Sequence, residues 1–316
     1  MSWSLVIHGG AGAMKSMGPE RERAYREGLH ASMHAGQQVL AADGSAVDAT
    51  IAAVRVMEAC GAFNAGHGSC LNQEGHIEAD AAVMDGTEGL IGAVAAAPML
   101  ANAVEVAELI RTQSPHCLLA GEGAAKFATS QGFTPEPAII SPHRQEAYEA
   151  QLLAQQVTGP PISAEDLTRL GGTHDSGDTV GAVARDAHGR LAVAVSTGGI
   201  WLKHPGRVGD SPLPGAGFWA EDGLGAICAT GTGEFIIRGM LCQQVINTLA
   251  RGDTLDFAAN DALDRFSARF GRGKAGLIAI DAYGNMIAPF HTEGMGRGRW
   301  CDGMDGPEVA VWPGEP

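Results

Sequence analysis

Aromatic residues are scarce, at 5% of 316 residues with only three tyrosines, and basic residues are outnumbered, 21 Lys and Arg against 36 Asp and Glu. With a formal net charge of −15 and no basic stripe interleaved with aromatics, the chain is poorly matched to nucleic acid or to an anionic membrane surface. No apolar run reaches the length of a transmembrane helix. The opening MSWSLVIHGGAG has neither the basic stretch nor the long apolar stretch of a secretory leader. CxxC pairs are also missing. The six cysteines (Cys60, Cys70, Cys117, Cys228, Cys242 and Cys301) are scattered through a chain large enough not to need a disulfide framework. Reduced thiols in the cytoplasm are therefore expected.

Glycine and small apolar residues are abundant. The 45 glycines follow no fixed period, which excludes a collagen-like chain, and they cluster at the ends of apolar runs. Leu5 to His8 reads as a strand running into Gly9-Gly10-Ala11-Gly12, a stretch without the lysine and spacing of a phosphate-binding loop. Glu20 to Leu40 carries apolar residues at helical spacing, and a second helix is predicted from Ser45, with Asp48 as capping partner. Ile77 to Met84 and Leu90 to Ala95 read as strands. Met99 to Ile110 and Phe235 to Leu249 read as helices, His116 to Ala128 as helical but broken by Gly121 and Gly123, and Ala226 to Thr230 as a short strand. Gln155 to Asp178, interrupted by Gly159-Pro160-Pro161, reads as a linker. Helices before and between strands predict an α+β fold with helices covering buried sheets.

The chain is organised around GGTHDSGDTVGAVARDAHGRLAVAVSTGG, residues 171–199. A polar, glycine-rich segment meets a buried strand abruptly at Thr179. Asp186 to Gly189 form a turn, and a second apolar run ends in Ser196-Thr197-Gly198-Gly199. Gly276 to Gly294 repeats this pattern, with the same Asp-Ala-X-Gly turn and Thr292 in the place of Thr197. The repeat predicts two hairpins lying side by side in one antiparallel sheet. A threonine opening a strand is by itself an ordinary β-branched residue. Cutting before it, however, would free an α-amine titrating at about 7.7–8.0, which can serve the hydroxyl as base and then as acid.

Two further patterns point to chemistry. Thr179, Thr197 and Thr230-Gly231 lie at strand ends, where hydroxyls and a backbone N–H can together form an oxyanion hole. Arg207 suits a carboxylate and Asp210 an ammonium, the two charges of an amino-acid head group, although an ion pair with each other is equally consistent with their spacing. The loop Gly61 to Ser69 offers carbonyls to a hard cation, or is a plain helix-to-strand connection. The side chains of His67 and His76 have no metal-ligand spacing and read as structural or surface groups.

HGGAG at 8–12, FNAGHGS at 63–69, IEADAAVMDG at 77–86, DTVGAVARD at 178–186, STGG at 196–199, GRVGDSPLPGAG at 206–217, ATGTGE at 229–234 and HTEGM at 291–295 together resemble the plant-type asparaginases, or isoaspartyl peptidases, of the N-terminal-nucleophile hydrolases. The resemblance covers nearly the whole chain. It implies a single domain, a four-layer αββα sandwich, made as a precursor that cuts itself between Asp178 and Thr179 into an α chain (1–178, with a mobile linker 155–178) and a β chain (179–316). It further implies Thr179 as nucleophile and base, Thr197 supporting its hydroxyl, and Thr230 with the Gly231 N–H as oxyanion hole. Arg207 would hold the substrate α-carboxylate, Asp210 and the Gly233 carbonyl the α-amine, and Asn64 would line the pocket. A structural Na⁺ would be held by the carbonyls of Met57, Glu58, Cys60, Phe63, Ala65 and His67. The implied substrates are β-aspartyl dipeptides and L-asparagine, and the implied assembly is a dimer of αβ units, a heterotetramer. Asp178 stands where isoaspartyl peptidases usually have glycine and resembles the glycosylasparaginases, which makes that activity the alternative. An uncleaved amino-acid-binding protein is the alternative outside the enzymes.

Overall fold

The computed structural model describes residues 2–14, 17–158 and 179–315. Strands β1 (Ser4–Gly12), β2 (Glu78–Asp85), β3 (Ile91–Pro98), β4 (Leu118–Ala120), β5 (Val180–Arg185), β6 (Leu191–Thr197), β11 (Gly294–Cys301) and β12 (Glu308–Ala310) form one sheet, in the order β12-β11-β1-β5-β6-β2-β3-β4. Strands β7 (Phe218–Glu221), β8 (Gly225–Gly231), β9 (Ala275–Asp281) and β10 (Met286–Ile287) form a second, in the order β10-β9-β8-β7. All pairings are antiparallel except β3 with β4.

Three apolar interfaces stack these sheets into four layers. Helices α1 (Pro19–Ala41), α2 (Ala46–Ala59) and α3 (Ala103–Gln113) bury Leu29, Met33, Val54 and Ile110 against Leu5, Ile7, Ala182, Ala184 and Ala194. Val6, Met84, Val183, Val193 and Val195 meet Phe218, Ala226, Cys228, Ile278 and Ile280 between the sheets. On the far side, α6 (Gly233–Gly239), α7 (Leu241–Leu249) and α8 (Leu255–Phe270) bury Phe235, Leu241, Val245 and Phe266 against Ile227, Ala229, Leu277 and Ala279. Each fully buried Val, Leu, Ile or Phe contributes ~1.5–3 kcal/mol relative to exposure. The predicted αββα sandwich is the observed architecture. Helix α2 starts where the sequence places it, with the Ser45 Oγ accepting the Asp48 N–H at 3.0 Å.

Several local expectations are corrected. The helix predicted from Met99 begins only at Ala103. Met99 has a left-handed φ of +52° and its N–H donates to the Ile77 carbonyl at 2.9 Å, so this stretch extends the end of β3. In His116 to Ala128 the break falls at Gly121, as read, where φ is +60°. The part before it is not helical, since Leu118–Ala120 pairs in parallel with β3, and α4 (Glu122–Ser130) runs through Gly123 unbroken. Phe235 to Leu249 is split at Met240, with φ of +48°, into α6 and α7. A further helix, α5 (Pro142–Thr158), includes Gln155 to Thr158, so those residues do not belong to a linker. Residues 159–178, with Asp178 among them, lie outside the described residues.

The two related hairpins do not lie side by side. β5 and β6 are central strands of the larger sheet, while β9 and β10 belong to the smaller one. The hairpins meet face to face, Val183 and Val193 packing with Ile278 and Ile280. The shared turn sets a local hairpin, whereas the sheet it joins is decided by burial of both its faces.

Candidate active site

Strand parity brings the three threonines into one space. In β5, Val180, Ala182 and Ala184 face the α1–α2 side and Val183 faces the second sheet. In β6, Ala192 and Ala194 face the helices, and Leu191, Val193 and Val195 the second sheet. In β8, Ala226 and Cys228 face the first sheet, Ile227 and Ala229 the outer helices. Alternation therefore aims residues 179, 197 and 230 into the gap between the sheets. The β5–β6 register ends at Val180↔Ser196, so one further step sets Thr179 opposite Thr197, which pairs in turn with Asp80 on β2. All three threonines are buried.

Each threonine has a distinct set of partners. The Thr197 Oγ1 accepts the Gly199 N–H at 3.0 Å, turning the chain back at the end of β6. The Thr230 Oγ1 accepts the Ala11 N–H at 3.2 Å, which ties β8 to β1 across the two sheets. A hydroxyl that accepts in this way keeps its own proton for donation. The Thr179 carbonyl meets the His8 Nδ1 at 3.0 Å. Gly231, next to Thr230, has φ of +141°, and a Cβ there would stand 2.2 Å from the Lys274 carbonyl oxygen. Only glycine allows this backbone to continue past Thr230.

Arg207 and Asp210 converge on the same end of the sandwich without pairing with each other. The Arg207 Nε and Nη2 each donate to the Glu234 carboxylate at 2.9 Å, a bidentate pair held at the first turn of α6. Burial pushes the Glu234 carboxyl up, and the hydrogen bonds and charge of Arg207 outweigh this and leave it below its ordinary range. Asp210 is buried, and its Oδ2 has no hydrogen-bond partner among the described residues. Burial pushes its carboxyl up to about 7 against the opposing charge of Arg207. Gly233 touches both groups: a Cβ there would lie 2.8 Å from the Arg207 Nη2 and 2.9 Å from the Asp210 Oδ1. A guanidinium, an under-partnered carboxylate and the start of α6 thus face one point, the charge pattern a zwitterion needs.

The loop that carries Arg207 and Asp210 is anchored to β2. The Gly209 N–H donates to the Asp80 Oδ2 at 3.0 Å, and the Gly206 N–H to the Glu78 carboxylate at 3.0 and 3.2 Å. The buried Lys203 Nζ donates to the Glu78 carbonyl at 2.7 Å. Burial pushes this ammonium below its ordinary value, with Asp80 opposing the shift. Asn64 lies beside the end of β6, where its Nδ2 donates to the Gly199 carbonyl at 2.6 Å and its Oδ1 accepts the Cys70 N–H at 2.7 Å.

Glu234, Asp80, Glu78, Lys203 and His8 were missed by sequence reasoning. A signal was available for Glu78 and Asp80. They are acidic residues inside the otherwise apolar run IEADAAVM, and a buried carboxylate requires partners.

The loop after α2 folds on its own carbonyls. A Cβ at Gly66 would stand 2.3 Å from the Glu58 carbonyl oxygen, and one at Gly68 would stand 1.9 Å from that of Phe63. Met57 and Glu58 sit in the last turn of α2, whose carbonyl end favours a cation. Backbone carbonyls are the donor type a hard cation such as Na⁺ takes. In this loop the Phe63 carbonyl accepts from the Arg144 Nη2 at 3.4 Å and the Ala65 carbonyl from the Gly68 N–H at 3.0 Å. The His67 ring is engaged elsewhere, with Nδ1 accepting the Ile139 N–H at 3.2 Å and Nε2 facing Glu136 at 3.3 Å. The Glu58 side chain points away to β6, where its Oε1 accepts from the Ser196 Oγ at 2.6 Å and the Val104 N–H at 3.1 Å. Among the described residues, no group of three or more His, Cys, Asp or Glu side chains could hold a metal ion.

The layered αββα sandwich is that of the N-terminal-nucleophile hydrolases. The chain belongs to the asparaginase family, whose model matches residues 1–306. It is similar to a plant-type L-asparaginase of Pyrobaculum calidifontis, 42% identical over 296 residues, covering 93% of this chain and 96% of the relative. It is equally similar to an isoaspartyl peptidase of Salmonella typhimurium, 42% identical over 314 residues and 98% of both chains. An isoaspartyl peptidase of Escherichia coli is 41% identical over 313 residues, 98% of this chain and 95% of the relative.

The burial of Asp210 has a pH signature. A carboxyl whose folded pKa lies above its unfolded value of 3.8 favours the fold below that value and loses the contribution as pH rises through about 7. Asp210→Asn is isosteric with the neutral acid, so it is expected to melt well above wild type at about pH 8 and close to it at about pH 4. Parallel melting curves check this. The same Tm difference at both pH values would contradict it.

Proposed function

We propose that this chain is a self-processing threonine hydrolase that releases L-aspartate from β-aspartyl dipeptides and L-asparagine. The observation that carries the reading is the convergence of residues 179, 197 and 230 between the sheets, beside a half-buried guanidinium and a buried carboxylate under-partnered among the described residues, which match an amino-acid head group. The relatives named isoaspartyl peptidase and plant-type L-asparaginase support the same substrates.

The chemistry has two stages. In the precursor, the Thr179 Oγ attacks the Asp178 carbonyl, the peptide becomes an ester, and water hydrolyses it to leave Thr179 with a free α-amine. In turnover, that amine takes the hydroxyl proton as Oγ attacks the β-amide carbonyl, then delivers it to the leaving amine as the C–N bond breaks. Water cleaves the resulting aspartyl ester and regenerates Thr179. The Thr230 hydroxyl and the Gly231 N–H hold the oxyanion of both tetrahedral intermediates, and Thr197 orients the attacking hydroxyl. Because Glu234 occupies the Nε and one Nη2 hydrogen of Arg207, the substrate α-carboxylate is met by the Nη1–Nη2 edge. Asp210 and the Gly233 carbonyl take the α-ammonium, and Asn64 lines the pocket by holding the Gly199 turn.

The carbonyls of Met57, Glu58, Cys60, Phe63, Ala65 and His67 would hold a structural Na⁺, which stiffens the loop carrying Asn64. Exchange of Na⁺ for a bulky organic cation is expected to lower Tm, because a bound ion stabilises the fold by linkage. Identical melting in both buffers would remove the ion from this reading. The chain acts in the cytoplasm, where its six cysteines, which form no disulfide with one another, stay reduced. It assembles as a dimer of αβ units, for which sedimentation is expected to give twice the mass of one chain. Among the described residues no helix is long and apolar enough to cross a membrane.

The specificity claim is tested on wild type and Arg207→Lys with β-Asp-Leu and α-Asp-Leu. An α-aspartyl dipeptide has its α-carboxyl tied in the peptide bond, so it should be turned over poorly. Lysine lacks the planar fork, and breaking a desolvated charge pair costs ~2–5 kcal/mol, so Arg207→Lys should lose at least tenfold in kcat/KM. Comparable turnover of the two dipeptides by wild type, or full activity in Arg207→Lys, would contradict the zwitterion clamp.

A further inference from the structure

His8 is fully buried and has no assigned part in the chemistry above, yet it touches the residue that does. The reason begins in the strand ladder. β1 pairs with β5 as far as His8↔Gly181, and the same register continued would set Gly10 against Thr179. The ladder stops instead, since β1 is irregular between His8 and Gly10 in its pairing with β11, and Gly10 has φ of +119°. The Thr179 carbonyl thus lies beyond the last recorded β1–β5 pair. The His8 side chain, aimed into the gap between the sheets, takes that place with its Nδ1 at 3.0 Å.

The polarity of this contact is determined by chemistry. A carbonyl oxygen only accepts, so the Nδ1 carries the hydrogen. Burial pushes His8 down to about 3, with the Thr179 carbonyl opposing, so the ring is neutral at working pH and its Nε2 is a bare acceptor. The Nε2 stands 3.2 Å from the Cys228 Sγ. Burial holds the Cys228 thiol well above its usual range, so it is an S–H and donates. The result is a directed chain from thiol to imidazole to the Thr179 carbonyl. The opposite strand leaves room for it: a Cβ on Gly181 would lie 2.5 Å from both the Cys228 Sγ and the His8 Nε2.

We propose that His8 is a positioning residue for Thr179: its Nδ1–H bond to the Thr179 carbonyl sets the direction of the hydroxyl and α-amine, and Cys228 holds the imidazole in the tautomer that makes this bond. The inference rests on the reading of Thr179 as nucleophile. Once the chain is cut ahead of Thr179, the backbone of that residue is anchored through its carbonyl and the strand that follows. Freedom about its Cα–C bond would carry the hydroxyl and the amine away from the substrate. A misplacement of about 1 Å costs on the order of 10²-fold in rate, and the substrate clamp on Arg207 and Asp210 is untouched.

The test compares two amides at position 8. The Asn amide nitrogen reaches the place of the Nδ1, while that of Gln reaches the place of the Nε2. His8→Gln is expected to lose about 10–100-fold in kcat, with KM for β-Asp-Leu within about threefold of wild type, and His8→Asn to recover most of the loss. Equal losses in the two variants, or losses that follow Tm, would overturn the proposal and leave His8 as a packing residue. If His8→Gln does not fold, Cys228 decides: Cys228→Ala should lower kcat severalfold and Cys228→Ser, which keeps a donor, should lose less. Unchanged kcat in Cys228→Ala would then overturn it. Thr179→Ala, assayed alongside, separates the two claims, since activity surviving in that variant would refute the nucleophile itself.

Discussion

The register of β5 against β6 and β2 is the constraint on which the site depends. These central strands are buried on both faces, so every residue of Val180 to Arg185 and of Leu191 to Thr197 has an assigned side. A slip of one residue would move Val183, Val193 and Val195 into the helix layer and Ala182 and Ala194 between the sheets. The mismatch in volume would be felt along both interfaces. Thr179 inherits its position from this ladder although it lies one residue outside β5. The same alternation sends Thr197 and Thr230 to the same gap from two different sheets. The hydroxyls are gathered by packing of apolar residues far from any chemistry.

Charge is distributed around this gap at a cost in stability. Arg207 and Glu234 satisfy one another with two hydrogen bonds, and Asp80 and Glu78 take backbone N–H groups from the loop between Lys203 and Asp210. Asp210 is the exception, buried with one oxygen unpartnered among the described residues. A desolvated carboxylate of this kind destabilises the fold when ionised, and a ligand ammonium in its place would relieve that cost. The loop is tied by hydrogen bonds where it meets β2, and among the described residues it is under-partnered at Asp210, where it faces the gap.

Helices covering buried sheets, the central hairpin and threonines at strand ends were legible in the sequence because they rest on short-range signals: apolar periodicity, Asp-Ala-X-Gly turns and glycine at strand ends. The four-layer αββα order came from the resemblance of the motifs to the family. The placement of the second hairpin was not, since identical turns say nothing about which sheet a strand joins. The break at Gly121 was legible from the glycine, whereas the one at Met240 was hidden. Met240 is a single residue in the left-handed region, with no side-chain preference that announces it. Helix α5 was obscured by the proline-bearing approach to it and by its polarity. Within the site, the threonines, Arg207 and Asp210 could be named from their own chemistry. Their supports could not, because Glu234, Lys203 and His8 act through partners 27, 125 and 171 residues away in the chain. The charged positions in IEADAAVM were the one legible trace of that second set.

The central claim is that the junction before Thr179 is both the point of self-cleavage and the source of the catalytic amine. The most direct measurement is the intact mass of the purified protein, wild type beside Thr179→Ala. Wild type should resolve into two polypeptides, the smaller beginning at Thr179, and the variant, with no hydroxyl to attack the Asp178 carbonyl, should remain one chain. A wild-type protein that turns over substrate as a single uncut polypeptide, or a Thr179→Ala variant that divides at the same bond, would contradict the account.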